Sequence, residues 1–308
     1  MGNPIAAGPS DRIMDLNEPE TVPEACLQAG GSGFPEILAR IDDPPRQLHV
    51  LGRLAAGPAV AIVGSRNCSR YGLGVAARLA ADLGRAGVSI VSGLARGIDA
   101  AAHRGALEGG GHTVAVLPGG LRPVYPRRHG RLAGEIARRG ALVAEHAAGT
   151  AVRAWHFPRR NRIIAGLAEA TVVVEAATRS GARITAELAL GYHRDVLVVP
   201  GPIDSPTSAG CHALLTDGAA PCLGAATVLE ALTDRGHTFG DLPDRKPPTD
   251  LAPAEKAIYQ AIEGGVAQRL DELSRELDMP LPLCMVASAG LELRGLALLL
   301  PGNRIARR

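Results

Sequence analysis

Between His156 and Gly166 the chain reads HFPRRNRIIAG, which puts Phe157 beside Arg159, Arg160 and Arg162 just ahead of an apolar helical run. A flat ring can stack on a base while neighbouring guanidinium groups hold phosphates, the combination by which single strands are bound without reading their sequence. Taken alone, the stretch reads equally well as a solvated basic helix start with Phe157 in the core. Other loops share its chemistry. Gly64-Ser65-Arg66 offers a glycine that lets backbone approach a phosphate, a hydroxyl and amides that donate to it, and an arginine that neutralises it. Gly93 and Gly97 flank Arg96 within SGLARGIDAAAH, Pro118-Gly119-Gly120 follows another apolar run, and Ser180 with Gly181 opens a helix in RSGARITAE. Any one of these is a routine glycine turn, whereas their coincidence suggests an anion site larger than one phosphate.

The elements that must position these loops follow from periodicity. Short β-branched runs at 59–63, 88–91, 113–117, 141–144, 171–174 and 196–199, with a weaker one near Cys222, alternate with Ala- and Leu-rich helical stretches. That alternation predicts an α/β fold, a Rossmann-like, doubly wound and mostly parallel sheet over residues 59–233. In such a sheet ligands gather at the carboxyl ends of the strands, near the point where strand order reverses, and all five loops emerge at those ends. Residues 1–58, rich in Gly, Pro and acids, read as a short, loosely built N-terminal leader. Residues 234–250 read as a proline-rich linker. Residues 251–308 read as a small winged-helix-like domain, three helical segments followed by a hairpin around Pro301-Gly302-Asn303. Its third helical segment has no Lys or Arg from Leu281 to Leu293, so it suits a protein contact better than a DNA groove.

Composition narrows the function classes. The 308 residues are 46% hydrophobic, with no apolar run near the ~20 residues that cross a bilayer and no secretory leader pattern, which predicts a cytoplasmic protein without membrane contact. Five scattered cysteines without a C-x-x-C pair indicate neither a disulfide framework nor a zinc site. A net charge of +2 conceals a block from Arg122 to Arg162 with ten arginines against Glu135 and Glu145, which suggests a polyanion partner. The loop after the first central strand, GSRNCSRYGLG, lacks the G-x-G-x-x-G dinucleotide fingerprint, and neither a phosphate-loop G-x-x-x-x-G-K-[ST] nor a G-x-S-x-G elbow occurs. Asp99 and His103, four apart on a helix, read as a helix-start carboxylate and a packing imidazole rather than an acid/base pair. Glu175 and Glu187 read as partners of nearby arginines. No catalytic residue, metal or cofactor is expected.

Taken together, VAIVGSRNCSRYG (60–72), SGLARGIDAAAHRGAL (92–107), VYP (124–126), HFPRRNRIIAGL (156–167), VVEAATRSGARITAELAL (173–190) and VPGPIDSPTSAGCHALLTDGA (199–219) resemble the DprA/Smf family of DNA-processing proteins of natural transformation. The resemblance covers nearly all of the central domain. It implies sequence-independent binding and protection of single-stranded DNA, a homodimer, and loading of RecA recombinase, with no catalytic activity. By motif it implies that Gly64, Ser65, Arg66, Gly93 and Arg96 hold phosphate and that Phe157 contacts a base. Arg159, Arg160 and Arg162 would line the strand's path, Asn161 would fix the loop, and Ser180 with Gly181 would touch backbone. The chain departs from the family at LPGG, at AEHAAGTAVRAW, and at Ala154, where a basic residue is common. The rival reading is an enzyme similar to the nucleotide-binding phosphoribohydrolases of the lysine-decarboxylase-like family. Their P-G-G-x-G-T-x-x-E is cut short here, because LRPVY follows Pro118-Gly119-Gly120.

Overall fold

Val60 and Ile62 pack into one core and Ala61 and Val63 into another, so a five-residue run is buried on both faces of one sheet. The computed structural model describes residues 22–240, 250–262 and 267–307, in two units that divide at Leu242. In the first unit, β1 (Glu24–Gln28), β2 (Gln47–Gly52), β3 (Ala59–Val63), β4 (Ser89–Ser92), β5 (Thr113–Leu117), β6 (Ala141–Ala144), β7 (Ala170–Val173), β8 (Asp195–Val198) and β9 (Ala220–Pro221) form one sheet. Among the described residues its order is β1-β2-β6-β5-β4-β3-β7-β8-β9. All ladders from β6 to β9 are parallel, while β2 lies antiparallel on β6 and β1 on β2.

The connecting helices are α1 (Glu36–Ala39), α2 (Arg70–Arg85), α3 (Ile98–Glu108), α4 (Gly130–Arg139), α5 (His156–Gly166), α6 (Gly181–Gly191), α7 (Ala209–Thr216) and α8 (Ala225–Thr233). One face of the sheet packs α1, α5, α6 and α7 through Leu38, Ile163, Ile164, Ala186 and Leu214. The other packs α2, α3, α4 and α8 through Leu79, Ile98, Ile136 and Val228. Helices α2 and α3 touch backbone to backbone: a Cβ on Gly105 would stand 2.7 Å from the Ala77 carbonyl carbon, and one on Gly109 2.9 Å from Ala81 Cα. Only glycine fits at such a seam.

Three expectations need correction. The stretch up to residue 58 is not a loose leader over its described part, since residues 22–58 add β1, α1 and β2 to the main sheet, with Leu48, Val50 and Leu51 buried. Leu38 lies against Gly166 of α5, where a Cβ would meet Leu38 Cδ1 at 2.7 Å. Residues 1–21 lie outside the described residues. The expected linker starts late as well. Arg235 pairs with Asp195, the His237 ring meets Glu169 at 2.7 Å, and Phe239 packs on the core, so the chain is docked this far, and 241–249 lie outside the described residues. Glu175 differs too: it accepts from Ser69 N at 2.9 Å and from Ser69 Oγ, fixing the start of α2 instead of pairing with an arginine. Glu187 does face an arginine, Arg183, at 3.7 Å.

The second unit contains α9 (Pro253–Ala261), β10 (Gln268–Arg269), α10 (Leu270–Glu276), α11 (Leu281–Leu293), β11 (Ala297–Leu300) and β12 (Arg304–Arg307). Its small antiparallel sheet has the order β10-β12-β11, and its core gathers Ile258, Leu273, Leu291 and Ile305. Three helices and a β11–β12 hairpin are the winged-helix-like set expected from the sequence. Among the described residues no helix is long and apolar enough to cross a membrane.

His103 is fully buried on α3, with its Nδ1 2.7 Å from Thr113 Oγ1, and burial pulls its pKa from 6.5 to about 3. The unfolded chain binds this proton and the fold refuses it, so stability is complete above pH 6.5 and is lost as pH falls toward 3. From this group the expected loss between about pH 7 and about pH 5 is ~2 kcal/mol. Urea midpoints at the two pH values check it: His103→Gln should lack that increment, and an equal drop in both proteins would refute the assignment.

Candidate nucleic-acid interface

The chain winds outward from β3 through β4 to β5 and β6, then crosses back to β7 on the other side of β3. Strand order therefore reverses between β3 and β7, and their carboxyl ends open a cleft of about 500 Å³. Gly64 begins the loop after β3 with its Cα against Ile98 and the Glu175 carbonyl, where a Cβ would stand 2.6 and 3.0 Å away. Ser65 N donates to that carbonyl at 2.7 Å, and Ser65 Oγ accepts from Asn67 N at 3.1 Å. Arg66 is thus presented from a rigid turn, its guanidinium carbon 5.0 Å from the centroid of the Phe157 ring. Arg96 reaches across from the loop after β4 to donate to Asn67 Oδ1 at 2.5 Å. Gly97 makes that crossing possible with φ at 84°, its Cα packed on the Ser65 carbonyl.

Helix α5 forms the opposite wall. Pro158 sits in its first turn, where a missing N–H costs nothing, so the helix starts at His156, well ahead of its apolar run. Phe157 projects at the cleft mouth with the Tyr125 ring edge-on at 5.7 Å, and Trp155 stacks edge-on upon His156 at 4.0 Å. Asn161 Nδ2 donates to Gly181 O at 3.2 Å and so ties α5 to the start of α6. There Ser180 Oγ accepts from Ala182 N at 3.1 Å, which caps α6 with its amino end toward the cleft.

The three arginines of α5 have three different fates. Arg160 turns into the protein, where its Nη1 donates to Gly93 O at 2.7 Å and to Val116 O at 2.5 Å, and its guanidinium plane lies on the Gly93 Cα. Burial lowers its pKa to about 10, against the pull of Asp99, so it stays charged at neutral pH. Asp99 accepts from Gly93 N at 3.2 Å and Ala95 N at 3.3 Å, and its own pKa is raised by burial and lowered by Arg160. Arg162 is buried among carboxylates, 2.6 Å from Glu145 and 3.3 Å from Asp43. Arg159 is half exposed, 3.7 Å from Glu145.

Of the residues singled out from the sequence, Gly64, Ser65, Arg66, Arg96, Phe157, Arg160, Asn161, Ser180 and Gly181 line this one cleft. Gly93, Arg159 and Arg162 do not. The expectation that Arg162 lines a strand's path is corrected, since helical spacing turns it inward onto Glu145 and Asp43; Arg160 borders the cleft but is buried with its guanidinium bonded to the Gly93 and Val116 carbonyls, while Arg159 faces out. Pro118-Gly119-Gly120 also falls outside, because β5 lies two strands from β3 and its loop packs on residues 147–152. Sequence reasoning missed Asn67 and Arg179, which line the cleft, and the exposed rings of Tyr125 and Trp155 beside it. Arg179 carried a signal, a cation directly before the Ser180 cap. Arg66, Arg96 and Arg179 leave three exposed cations at the mouth, and Asp99, the carboxylate in the lining, is spent on backbone amides. The site can hold phosphates beside an aromatic face.

The family model for DNA recombination-mediator protein A matches residues 26–233. A putative DNA processing protein DprA of Mycobacterium tuberculosis is 45% identical over 217 residues, 70% of this chain, which spans little more than half (56%) of that relative's length. The crystal structure of DNA processing protein A from Streptococcus pneumoniae aligns with a TM-score of 0.65 at 39% identity, over 68% of this chain and 74% of that one. A structure of DNA processing protein A from Helicobacter pylori, reported for its single-stranded DNA binding mode, aligns with a TM-score of 0.62 at 26% identity, over 70% and 99% of the two chains.

Proposed function

The chain belongs to the DNA recombination-mediator protein A family, and on that premise we propose that its cleft binds single-stranded DNA without reading sequence. The observation that carries this reading is Phe157 at the mouth, with Arg66 over its ring and Arg96 and Arg179 beside it. A base can stack there while the phosphates on either side meet guanidinium groups, which are planar forks suited to phosphate oxygens. The relative from Helicobacter pylori, with its single-stranded DNA binding mode, supports the choice of ligand.

The proposal extends to a cytoplasmic homodimer that shields the bound strand and loads RecA onto it. These steps come from the family resemblance. Sedimentation of the free protein tests the dimer, and the rate of RecA filament nucleation on a coated strand tests the loading. No chemical turnover is included, and release of free base from AMP would overturn that part.

Fluorescence anisotropy with matched single and double strands at two salt concentrations tests the central claim. Three phosphate contacts predict that the logarithm of affinity falls with the logarithm of salt with a slope of about −2 for single strands. Equal affinity for duplex, or a slope near zero, would refute the reading.

A further inference from the structure

On the sheet face that carries α3 and α4, a second cavity of about 590 Å³ opens between those helices and shares no lining residue with the cleft. Arg104 of α3, Arg128 of the short turn Arg127–His129, and Arg131, Arg138 and Arg139 of α4 surround it, against Glu108 and Glu135. Arg131 and Arg138 are seven residues apart, two turns along one side of α4 and so about 10 Å apart along its axis. One phosphate or one carboxylate cannot bridge that span, whereas a polyanion can.

Some of this charge has a local use. Arg138 and Arg139 lie in the last turn of α4, where cations complement the helix dipole, and Arg139 Nη1 also donates to Leu107 O at 3.0 Å. Arg131 meets Glu135 at 3.3 Å in an exposed pair that another anion can replace at little cost. Arg104 and Arg128 have no such use. Both are exposed, and neither has a hydrogen bond or ion pair among the described residues. They flank His129, whose buried ring is fixed 2.8 Å from Leu94 O. The apolar lining is limited to Leu107 and Leu132, both buried, so the groove has no sockets for the side chains of a peptide. What it offers is charge along a line.

We propose that the α3–α4 groove is a second nucleic-acid site, holding the phosphodiester backbone of the strand beyond the segment bound in the cleft. The proposal rests on the reading of the cleft as a single-strand site. Helix α3 links the two places, because it begins beside Arg96 at the cleft and brings Arg104 into the groove six residues after Ile98, about 9 Å along its axis.

The test uses the whole chain with oligonucleotides of about 6 and about 20 nucleotides, one filling the cleft alone and one reaching beyond it. For Arg104→Glu with Arg128→Glu, affinity for the long strand should fall about tenfold or more and its salt slope should become shallower by about 1.4, with the short strand unaffected. Arg104→Ala with Arg128→Ala, which adds no like charge, should lose the same slope with unchanged melting. Phe157→Ala should weaken both strands. Unchanged long-strand affinity and slope in both arginine variants would overturn the groove while leaving the cleft to be judged by Phe157→Ala. If Phe157→Ala weakens neither strand, the cleft reading has failed and with it the continuous path proposed here. Equal competition by polyglutamate of matched charge would assign the groove to an acidic protein segment instead, and overturn the proposal.

Discussion

Replacing Phe157 by alanine is expected to weaken single-strand binding by about 1–3 kcal/mol, roughly 5- to 150-fold, which is the worth of one base stacked on one ring. Two effects add in the same direction. The ring holds Arg66 through a 5.0 Å cation–π contact and buttresses Tyr125 edge-on, so its loss frees a cation and a second aromatic group as well. Phe157 is at the surface of α5 and only partly buried, so the fold should survive. Phe157→Tyr separates stacking from generic loss, because a ring of the same size should retain most of the affinity. Affinities measured by anisotropy at fixed salt, beside thermal melting of each variant, decide the matter. A Phe157→Ala protein that binds as tightly as the parent would remove the ring from the site.

The second large effect concerns folding. Arg160→Ala is expected to cost about 3–5 kcal/mol of stability, because it takes a charged donor from two buried carbonyls and removes the positive charge that offsets the burial of Asp99. The Gly93 and Val116 carbonyls would lose their donor, and the guanidinium plane on Gly93 would become a void. Arg160→Ala combined with Asp99→Asn should recover part of the loss by removing the carboxylate that needed the offset, although two carbonyls remain unpaired. Denaturant unfolding of the two variants checks this. If Arg160→Ala unfolds like the parent but loses DNA, Arg160 is a ligand-facing residue and its structural assignment is wrong.

Those two residues mark the limit of what the sequence made legible. Strands β3 to β8 and the helices between them follow from β-branched runs and apolar spacing, because a parallel sheet buried on both faces leaves little freedom in which residues can form it. The meeting of the loops after β3, β4 and β7 at one cleft follows from the reversal of strand order. Which arginine of Arg159, Arg160 and Arg162 faces the cleft does not follow, because it depends on the rotation of α5 and hence on where the helix begins. Pro158 lies within the first turn, ahead of the apolar run that marks the helix in the sequence. Strand β2 was hidden in the same way. Its ladder to β6 runs only from His49 to Gly52, and just Leu48, Val50 and Leu51 of the strand are buried, too short an apolar signal to mark a strand. Glu175 illustrates a third kind of miss: a carboxylate near many arginines was assigned to them, yet it serves the amide and hydroxyl of Ser69.

The glycine seam between α2 and α3 has a metrical consequence. Where backbones touch at Gly105 and Gly109, with no side chain to compress, α3 cannot slide along its neighbour. With α3 fixed in place, Arg96 two residues ahead of its start and Arg104 at its seventh position keep a set interval, and α3 acts as a ruler laid against a polymer that follows both. A ruler selects by the contour length of what it measures. An abasic stretch inserted between two tight-binding segments should be tolerated where it preserves that interval and penalised where it does not, whatever bases lie on either side.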